Sequence, residues 1–217
     1  MKFTNFANHD TLINNYIREI RSVDIQRDPM RFRTNLERIG SMMAYEISKT
    51  LDYTSVDVQT PLGIAHTRVI ADDIVVASIL RAGLPMHNGM LQVLDRAENC
   101  FVSAYRKYSD EQHFNVHIEY LASPRIDGKI VILCDPMLAT GSSMSLAYHA
   151  ILTKGKPKRV IIASIVAAEP AIEYLKANIH EDNVDVWCAV VDSSLNEHAY
   201  IVPGIGDAGD LAFGEKD

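Results

Sequence analysis

Residues 131–143 read Val-Ile-Leu-Cys-Asp-Pro-Met-Leu-Ala-Thr-Gly-Ser-Ser, and this stretch decides the fold that we predict. The apolar run 130–133 predicts a central parallel strand, and Asp135 falls at its carboxyl end, where open α/β sheets bind ligands. Small residues at 139–143 then let backbone N–H groups approach a dianion at the start of a predicted helix. The stretch therefore indicates a site for a phosphorylated sugar, although an ordinary strand, turn and helix N-cap would need only a Ser or Thr and a Gly.

A second candidate phosphate site follows the apolar run 74–80, where the chain continues Arg81-Ala82-Gly83. The guanidinium of Arg81 offers a planar fork of donors that matches phosphate oxygens, and the small residues after it leave room for a phosphate near the backbone. An isolated Arg after a strand is more often a surface cation. The interpretation as a ligand therefore depends on the neighbouring motifs.

The C-terminal stretch 195–210 reads Leu-Asn-Glu-His-Ala-Tyr-Ile-Val-Pro-Gly-Ile-Gly-Asp-Ala-Gly-Asp. Pro203 and three glycines predict a segment that is too kinked for a helix or a strand and that exposes its backbone. Main-chain N–H and C=O groups can then bind a flat ring with alternating donor and acceptor edges. A flexible glycine-rich tail is the alternative, but the apolar residues within 200–205 are unusual for a solvated linker.

These three segments occur in the order found in the type I phosphoribosyltransferases, and together they resemble one subfamily, the uracil phosphoribosyltransferases. That family typically carries Asp-Pro-Met-Leu-Ala-Thr-Gly-Gly-Ser where residues 135–143 of this chain end in Gly-Ser-Ser. The similarity runs from Arg31-Phe32-Arg33 to the C-terminus. Three residues depart from the pattern, with Ser142 in place of Gly, Leu211 in place of Lys or Arg, and Glu215 in place of Thr. A Ser at 142 would be strained if the backbone there were left-handed, whereas its hydroxyl would be a further phosphate donor in a helical backbone.

The resemblance implies a glycosyltransferase that joins uracil to phosphoribosyl diphosphate, releasing diphosphate and uridine monophosphate in pyrimidine salvage. The expected catalytic residues are Arg81, Arg106, Asp135 and Asp207. The residues expected to bind phosphoribosyl diphosphate are Arg81, Arg106, Asp135, Pro136, Met137, Leu138, Ala139, Thr140, Gly141, Ser142, Ser143 and Asp207. The residues expected to bind uracil are Tyr200, Ile201, Gly206, Asp207 and Ala208.

Each expected catalytic residue has an implied role. Arg81 and Arg106 would stabilise the departing diphosphate, and Asp135 would bind the ribose diol. The implied cofactor is Mg2+ carried by the diphosphate, with Asp207 ordering metal-bound water, and we assign no residue as a direct metal ligand. No side chain is an obvious general base, so catalysis would depend mainly on positioning and electrostatics.

Two other functions are consistent with a resemblance of this kind. One is a non-catalytic family member that binds a nucleotide and regulates a partner, and the other is a phosphoribosyltransferase for a different base. The family also implies a homodimer or larger homo-oligomer and leaves room for an allosteric nucleotide. Alternating residues at 114–121 resemble the family's mobile flap over the site, but a plain antiparallel hairpin fits that pattern equally well.

The pattern of elements predicts an α/β fold with a doubly wound parallel sheet. We expect one domain over 1–217, with a helical N-terminal segment over about 8–50, a core over about 54–191 and a base-binding loop over about 192–217. The dipeptide Asp28-Pro29 is a suitable cap for a long helix. The predicted strands lie near 54–60, 66–70, 74–80, 100–105, 114–121, 129–134, 159–166 and 184–191, and the later predicted helices near 86–97, 142–154 and 169–179.

The composition of the chain narrows the kinds of ligand and the cellular location that we expect. Lys and Arg number 21 against 28 Asp and Glu, a net charge of −7, which argues against nucleic acid as the main ligand. No stretch is long and apolar enough for a membrane span, and the N-terminus has no leader pattern, so we expect a cytoplasmic protein. The three Cys residues fit no disulfide framework, and we expect buried reduced thiols.

Overall fold

The computed structural model describes residues 1–108 and 114–216, with side chains at 1–103 and 118–216. The strands are β1 Lys2–Asn5, β2 Tyr53–Thr60, β3 Gly63–Ile70, β4 Ile74–Leu80, β5 Glu98–Tyr108, β6 Phe114–Ala122, β7 Ile130–Leu138, β8 Arg159–Ala168, β9 Val184–Asp192, β10 Ser194–Leu195 and β11 Ile201–Val202. The helices are α1 Ile13–Arg21, α2 Pro29–Ser48, α3 Gly83–Leu91, α4 Ser142–Leu152, α5 Glu169–Asn178 and α6 Ala208–Phe213.

Seven strands form one sheet in the order β1-β9-β8-β7-β4-β5-β6. Every neighbouring pair is parallel except β5 and β6, which form an antiparallel hairpin. The helices cover both faces: Ile132 packs with α1, α2 and α3, whereas its neighbour Leu133 packs with α4 and α5. Burial on both faces explains why the central strands are continuously apolar. The predicted doubly wound α/β fold is confirmed.

The long helix α2 begins as its sequence predicts. The carboxylate of Asp28 accepts hydrogen bonds from the backbone N–H groups of Met30 and Arg31, at 3.0 and 3.2 Å, and Pro29 occupies the first helical position. The apolar stripe on this helix is buried in the core, and its members are Phe32, Leu36, Ile39, Met43 and Ile47. The N-terminal helices therefore support the sheet from one side.

Several predicted boundaries were wrong. The strand β7 continues to Leu138, so Asp135 lies within it rather than past its end, because β8 continues alongside and pairs with it at Ser164. The helix expected at 86–97 runs from Gly83 to Leu91. The short edge strand β1 pairs with β9 and is largely exposed, so its sequence carries no apolar alternation to reveal it.

The sequence predicted neither a helix nor a strand in the C-terminal stretch. That prediction was wrong, because the stretch contains a short strand and the start of a helix. Residues Ile201–Val202 form β11, which pairs antiparallel with β10. The carboxylate of Asp207 caps α6 by accepting from the N–H groups of Gly209 and Asp210, at 2.8 and 3.0 Å. A capping Asp offsets the poor helix propensity of the glycine in the first turn.

Two further expectations concern the state of the cysteines and membrane-spanning segments. The three cysteines are buried free thiols, as predicted, and burial raises the pKa of each. Within the described ranges, none of the helices has the length and apolar character that crossing a bilayer requires.

Candidate active site

A cleft of about 290 Å³ opens at the carboxyl edge of the sheet, beside the ends of β4 and β7. All three segments singled out in the sequence contribute to its walls. Its lining includes residues within 79–82, 135–144 and 207–216. Ligands of open α/β sheets bind at this edge, so the cleft is the candidate active site.

The loop between β7 and α4 forms one wall of this cleft. Gly141 immediately precedes the helix and has a left-handed backbone, with φ of 82°. A Cβ atom added there would lie 2.9 Å from Cδ1 of Tyr174 and 3.1 Å from the carbonyl oxygen of Ala171, so only glycine fits without movement. Ser143 faces the cleft from the first turn of α4. The loop thus directs a helix N-terminus towards the cleft, which is a favourable site for a phosphate.

Of the two possibilities left open for Ser142, strain in a left-handed backbone does not occur. Ser142 is the first residue of α4, and the positive φ falls on Gly141 instead. The hydroxyl oxygens of Ser142 and Thr140 are 2.8 Å apart and share a hydrogen bond. Thr140 lines the cleft, whereas Ser142 does not. In this arrangement Ser142 supports the hydroxyl of Thr140 without itself lining the cleft.

Asp135 lies partly buried on the wall of the cleft. Burial raises the pKa of its carboxyl to about 7; the backbone N–H of Met137, 3.1 Å from Oδ1, opposes that shift, and the negative charge of Asp207 adds to it. At neutral pH the carboxyl of Asp135 therefore keeps its proton more readily than an exposed aspartate does. A ligand that donates hydrogen bonds to the carboxylate would favour the ionised form.

Arg81 faces the cleft from the residue after β4, and its guanidinium already has protein partners. Nη2 donates to Oδ1 of Asp210 at 2.9 Å, and Nη1 donates to the carbonyl oxygen of Gly214 at 3.0 Å. Its Nε is buried and has no partner among the described residues. Sequence reasoning missed Asp210, although it lies only three residues after Asp207 in the same motif. The C-terminal helix and tail therefore hold the side chain of Arg81 at the wall of the cleft.

The structure brings together most, but not all, of the predicted site residues. Those that line the cleft are Arg81, Asp135, Met137, Leu138, Ala139, Thr140, Gly141, Ser143 and Asp207. Those that do not are Pro136, Ser142, Tyr200, Ile201, Gly206 and Ala208. The backbone of Arg106 lies in β5, but its side chain falls outside the described side chains.

The predicted base-binding residues are divided between two sides of their loop. Gly206 borders a second hollow of about 410 Å³, beside Arg21 and Gly204. Ala208 is buried, and its N–H donates to the thioether sulfur of Met137 at 3.4 Å. This contact joins the loop to the strand that carries Asp135. A thioether is a weak acceptor, so the N–H of Ala208 is only weakly satisfied.

The protein by itself does not form a closed metal cage in the part of the chain that the structure describes. No cluster of three or more His, Cys, Asp or Glu side chains there is arranged to hold a metal ion. The carboxylates of Asp135 and Asp207 nevertheless border the same cleft. A pair of carboxylates is a donor set that suits a metal ion whose other ligands come from a substrate.

Comparisons with known proteins agree with this geometry. A family model described as uracil phosphoribosyltransferase matches residues 7–215. The uracil phosphoribosyltransferase of Porphyromonas gingivalis is 53% identical over 216 residues, covering 100% of both chains. That of Methanothermobacter thermautotrophicus is 41% identical over 189 residues, covering 86% of this chain and 85% of the relative. The solved structure of the AQ2163 protein from Aquifex aeolicus superposes with a TM-score of 0.87 at 30% identity, covering 98% of each chain. The chain therefore belongs to the uracil phosphoribosyltransferase family.

Proposed function

We propose that this protein transfers the 5-phosphoribosyl group from phosphoribosyl diphosphate to uracil, forming uridine monophosphate and diphosphate for pyrimidine salvage. The observation that carries this proposal is the single cleft into which the phosphate loop, Arg81 and the C-terminal motif converge. The full-length relationship to enzymes of that name supports the same reaction. The regulatory alternative is not favoured, because the relatives that match the chain over its full length are named as the enzyme.

The phosphate loop would bind the 5-phosphate. The turn at Gly141 leaves the first N–H groups of α4 without helical acceptors, and these groups attract a dianion together with the helix dipole. The hydroxyls of Thr140 and Ser143 border the same space and would donate further hydrogen bonds. Binding at this loop orients the ribose towards Asp135.

Asp135 would bind the ribose diol. Two hydroxyl donors stabilise an ionised carboxylate, so substrate binding should lower the pKa of Asp135 from about 7. Binding should therefore release a proton near neutral pH. The charged carboxylate then also lies close to the sugar ring, where positive charge grows as the anomeric bond breaks.

Arg81 and Arg106 would meet the negative charge that grows on the departing diphosphate. Two nitrogens of Arg81 already contact Asp210 and Gly214, so the diphosphate would either displace these partners or bind the remaining N–H donors. Arg106 belongs to β5, which pairs with β4, the strand that ends immediately before Arg81. Charge-assisted contacts of this kind accelerate the reaction when they strengthen in the transition state.

Mg2+ would arrive with the diphosphate and neutralise part of its charge. Magnesium in such sites takes one or two protein carboxylates and completes its shell with phosphate oxygens and water. Asp207 borders the cleft and would contact metal-bound water, while its second task is to cap α6.

The backbone of the C-terminal loop would bind uracil. The weakly satisfied N–H of Ala208 is one donor suited to a uracil carbonyl, and Ile201 and Gly206 would supply further main-chain groups. Tyr200 and Asp207 would complete the expected set. By the same resemblance we propose a cytoplasmic homo-oligomer.

The direct test is diphosphate release from phosphoribosyl diphosphate and Mg2+ with uracil or cytosine. Cytosine has an amine in place of one carbonyl, so it reverses a donor and an acceptor against fixed backbone groups. One unpaired buried polar contact costs about 1 to 3 kcal/mol, so kcat/KM should fall about 5- to 150-fold for each mismatch. Reactions without a base control for hydrolysis. Equal turnover of both bases would contradict the assignment, and nucleotide binding without any turnover would support the regulatory alternative.

A further inference from the structure

We propose that Arg21 and Asp192 are positioning residues that hold the uracil-binding loop in its working conformation. The inference rests on the proposed function, because it assigns this task at the loop 200–208. Neither residue lines the active-site cleft, and neither belongs to the motifs that identify the family in the sequence. Both contact the loop at one residue, Gly204.

The contacts form a closed arrangement, which we call the Gly204 clamp. The carboxylate of Asp192 accepts from both terminal nitrogens of Arg21, at 2.7 and 2.9 Å. The N–H of Gly204 donates to Oδ2 of Asp192 at 2.9 Å, and the carbonyl oxygen of Gly204 accepts from Nη1 of Arg21 at 2.9 Å. Both backbone polar groups of one loop residue are thus bound by the two partners of one ion pair.

The clamp acts on a part of the loop that cannot easily take another conformation. Gly204 is buried and has a left-handed backbone, with φ of 58°. A Cβ at this position would collide with the carbonyl oxygen of Ile201, so the turn packs against its own preceding residues. Because both polar groups of Gly204 are away from water, they need the partners that Arg21 and Asp192 provide.

The clamp lies between residues that are proposed to bind uracil. Ile201 and Gly206, both proposed to bind the base, lie three residues before and two residues after Gly204. A shift of Gly204 would therefore displace the main-chain groups on both sides of it. The phosphate loop belongs to another segment and has its own hydrogen bond between Thr140 and Ser142. Arg81 contacts Asp210 and Gly214, which lie beyond the loop in α6 and the tail, and it does not contact Gly204. Loss of the clamp should accordingly impair uracil binding far more than the binding of phosphoribosyl diphosphate.

Burial makes the Arg21–Asp192 ion pair suitable for fixing the position of Gly204. The side chains of Arg21 and Asp192 are 21% and 7% exposed. A partly buried bidentate pair has one favoured geometry, and leaving one partner alone is costly. The Arg159–Asp185 pair has similar exposure, 21% and 13%, but it joins the first residue of β8 to the second residue of β9, at the opposite edge of the sheet. This second pair provides a matched control.

The experiment compares Arg21→Lys, Asp192→Asn and the control Arg159→Lys in the full-length protein. The lysine keeps the charge of Arg21 but cannot donate to the carboxylate and the Gly204 carbonyl through a fork. We expect the KM for uracil to rise about tenfold to a hundredfold in the clamp variants, a range typical of misplaced binding groups. The KM for phosphoribosyl diphosphate, and its affinity measured by calorimetry without uracil, should change less than about twofold. The control should change neither constant.

The outcomes separate this inference from the proposed function and from a loss of folding. Melting temperatures measured in parallel identify a variant that is merely unstable, and Arg21→Gln replaces Asp192→Asn if the latter does not fold. An unchanged KM for uracil, or equal losses for both substrates, would overturn the clamp. A wild-type protein without uracil turnover would instead overturn the proposed function.

Discussion

The carboxyl of Asp135 provides a prediction whose magnitude follows from the structure. Its pKa rises from 3.8 to about 7 on folding, chiefly through burial. Between these values the folded protein keeps a proton that the unfolded chain has lost. The folded state therefore binds more protons, and its stability falls as the pH rises through this range. Asp135→Asn keeps the shape of the side chain and an oxygen acceptor for the N–H of Met137, but it has no charge to bury.

The expected size of the effect is a substantial fraction of the stability of the protein. Each pH unit in this range corresponds to about 1.4 kcal/mol, so from about pH 5 to about pH 8 the wild type should lose about 2 to 3 kcal/mol relative to Asp135→Asn. Water in the cleft reduces the cost of the charge, so this is an upper value. For a chain of this size the difference corresponds to a relative shift in Tm of about 4 to 12 °C.

Urea denaturation of both proteins at the two pH values measures this difference. The variant should be the more stable protein at the higher pH, while its turnover should fall because an amide binds the ribose diol less strongly than a carboxylate. Asp182→Asn, at an exposed position, controls for the loss of one negative charge. Parallel pH profiles of stability for the wild type and Asp135→Asn would refute the reasoning, since they would mean that folding does not raise the pKa.

Two predictions concern the phosphate loop. Gly141→Ala should destabilise the protein by about 1 to 3 kcal/mol and weaken binding of phosphoribosyl diphosphate, because φ is 82° and the new Cβ would lie 2.9 Å from Tyr174. An unchanged melting temperature and an unchanged affinity would contradict the left-handed turn. Ser142→Gly should lower stability by about 0.5 to 1 kcal/mol, because it adds a glycine to the first turn of α4 and removes the hydrogen bond to Thr140. A higher melting temperature for Ser142→Gly would show that position 142 is strained after all.

Local patterns determined a large part of the fold in advance. The runs that became β4, β7 and β8 are apolar because both faces of the central sheet are buried, and such runs are visible in a single sequence. The cap at Asp28 and the turn at Gly141 are equally local, because each depends on a few neighbouring residues. The edge strand β1 could not be predicted, since its only strong signal is its pairing with β9.

The candidate site likewise has features that the sequence predicts and features that only the tertiary structure shows. The sequence by itself determined which chemical groups are present, namely the phosphate loop, Arg81, Asp135 and the C-terminal motif, because their residue types occur in short contiguous segments. Only the tertiary structure decided what those groups contact. Arg81 and Asp210 are 129 positions apart, and Arg21 and Asp192 are 171 positions apart. The raised pKa of Asp135 likewise depends on burial and on the charge of Asp207, which belongs to another segment. Contacts and electrostatic fields of this kind depend on distances in space, which the order of residues along a chain does not contain.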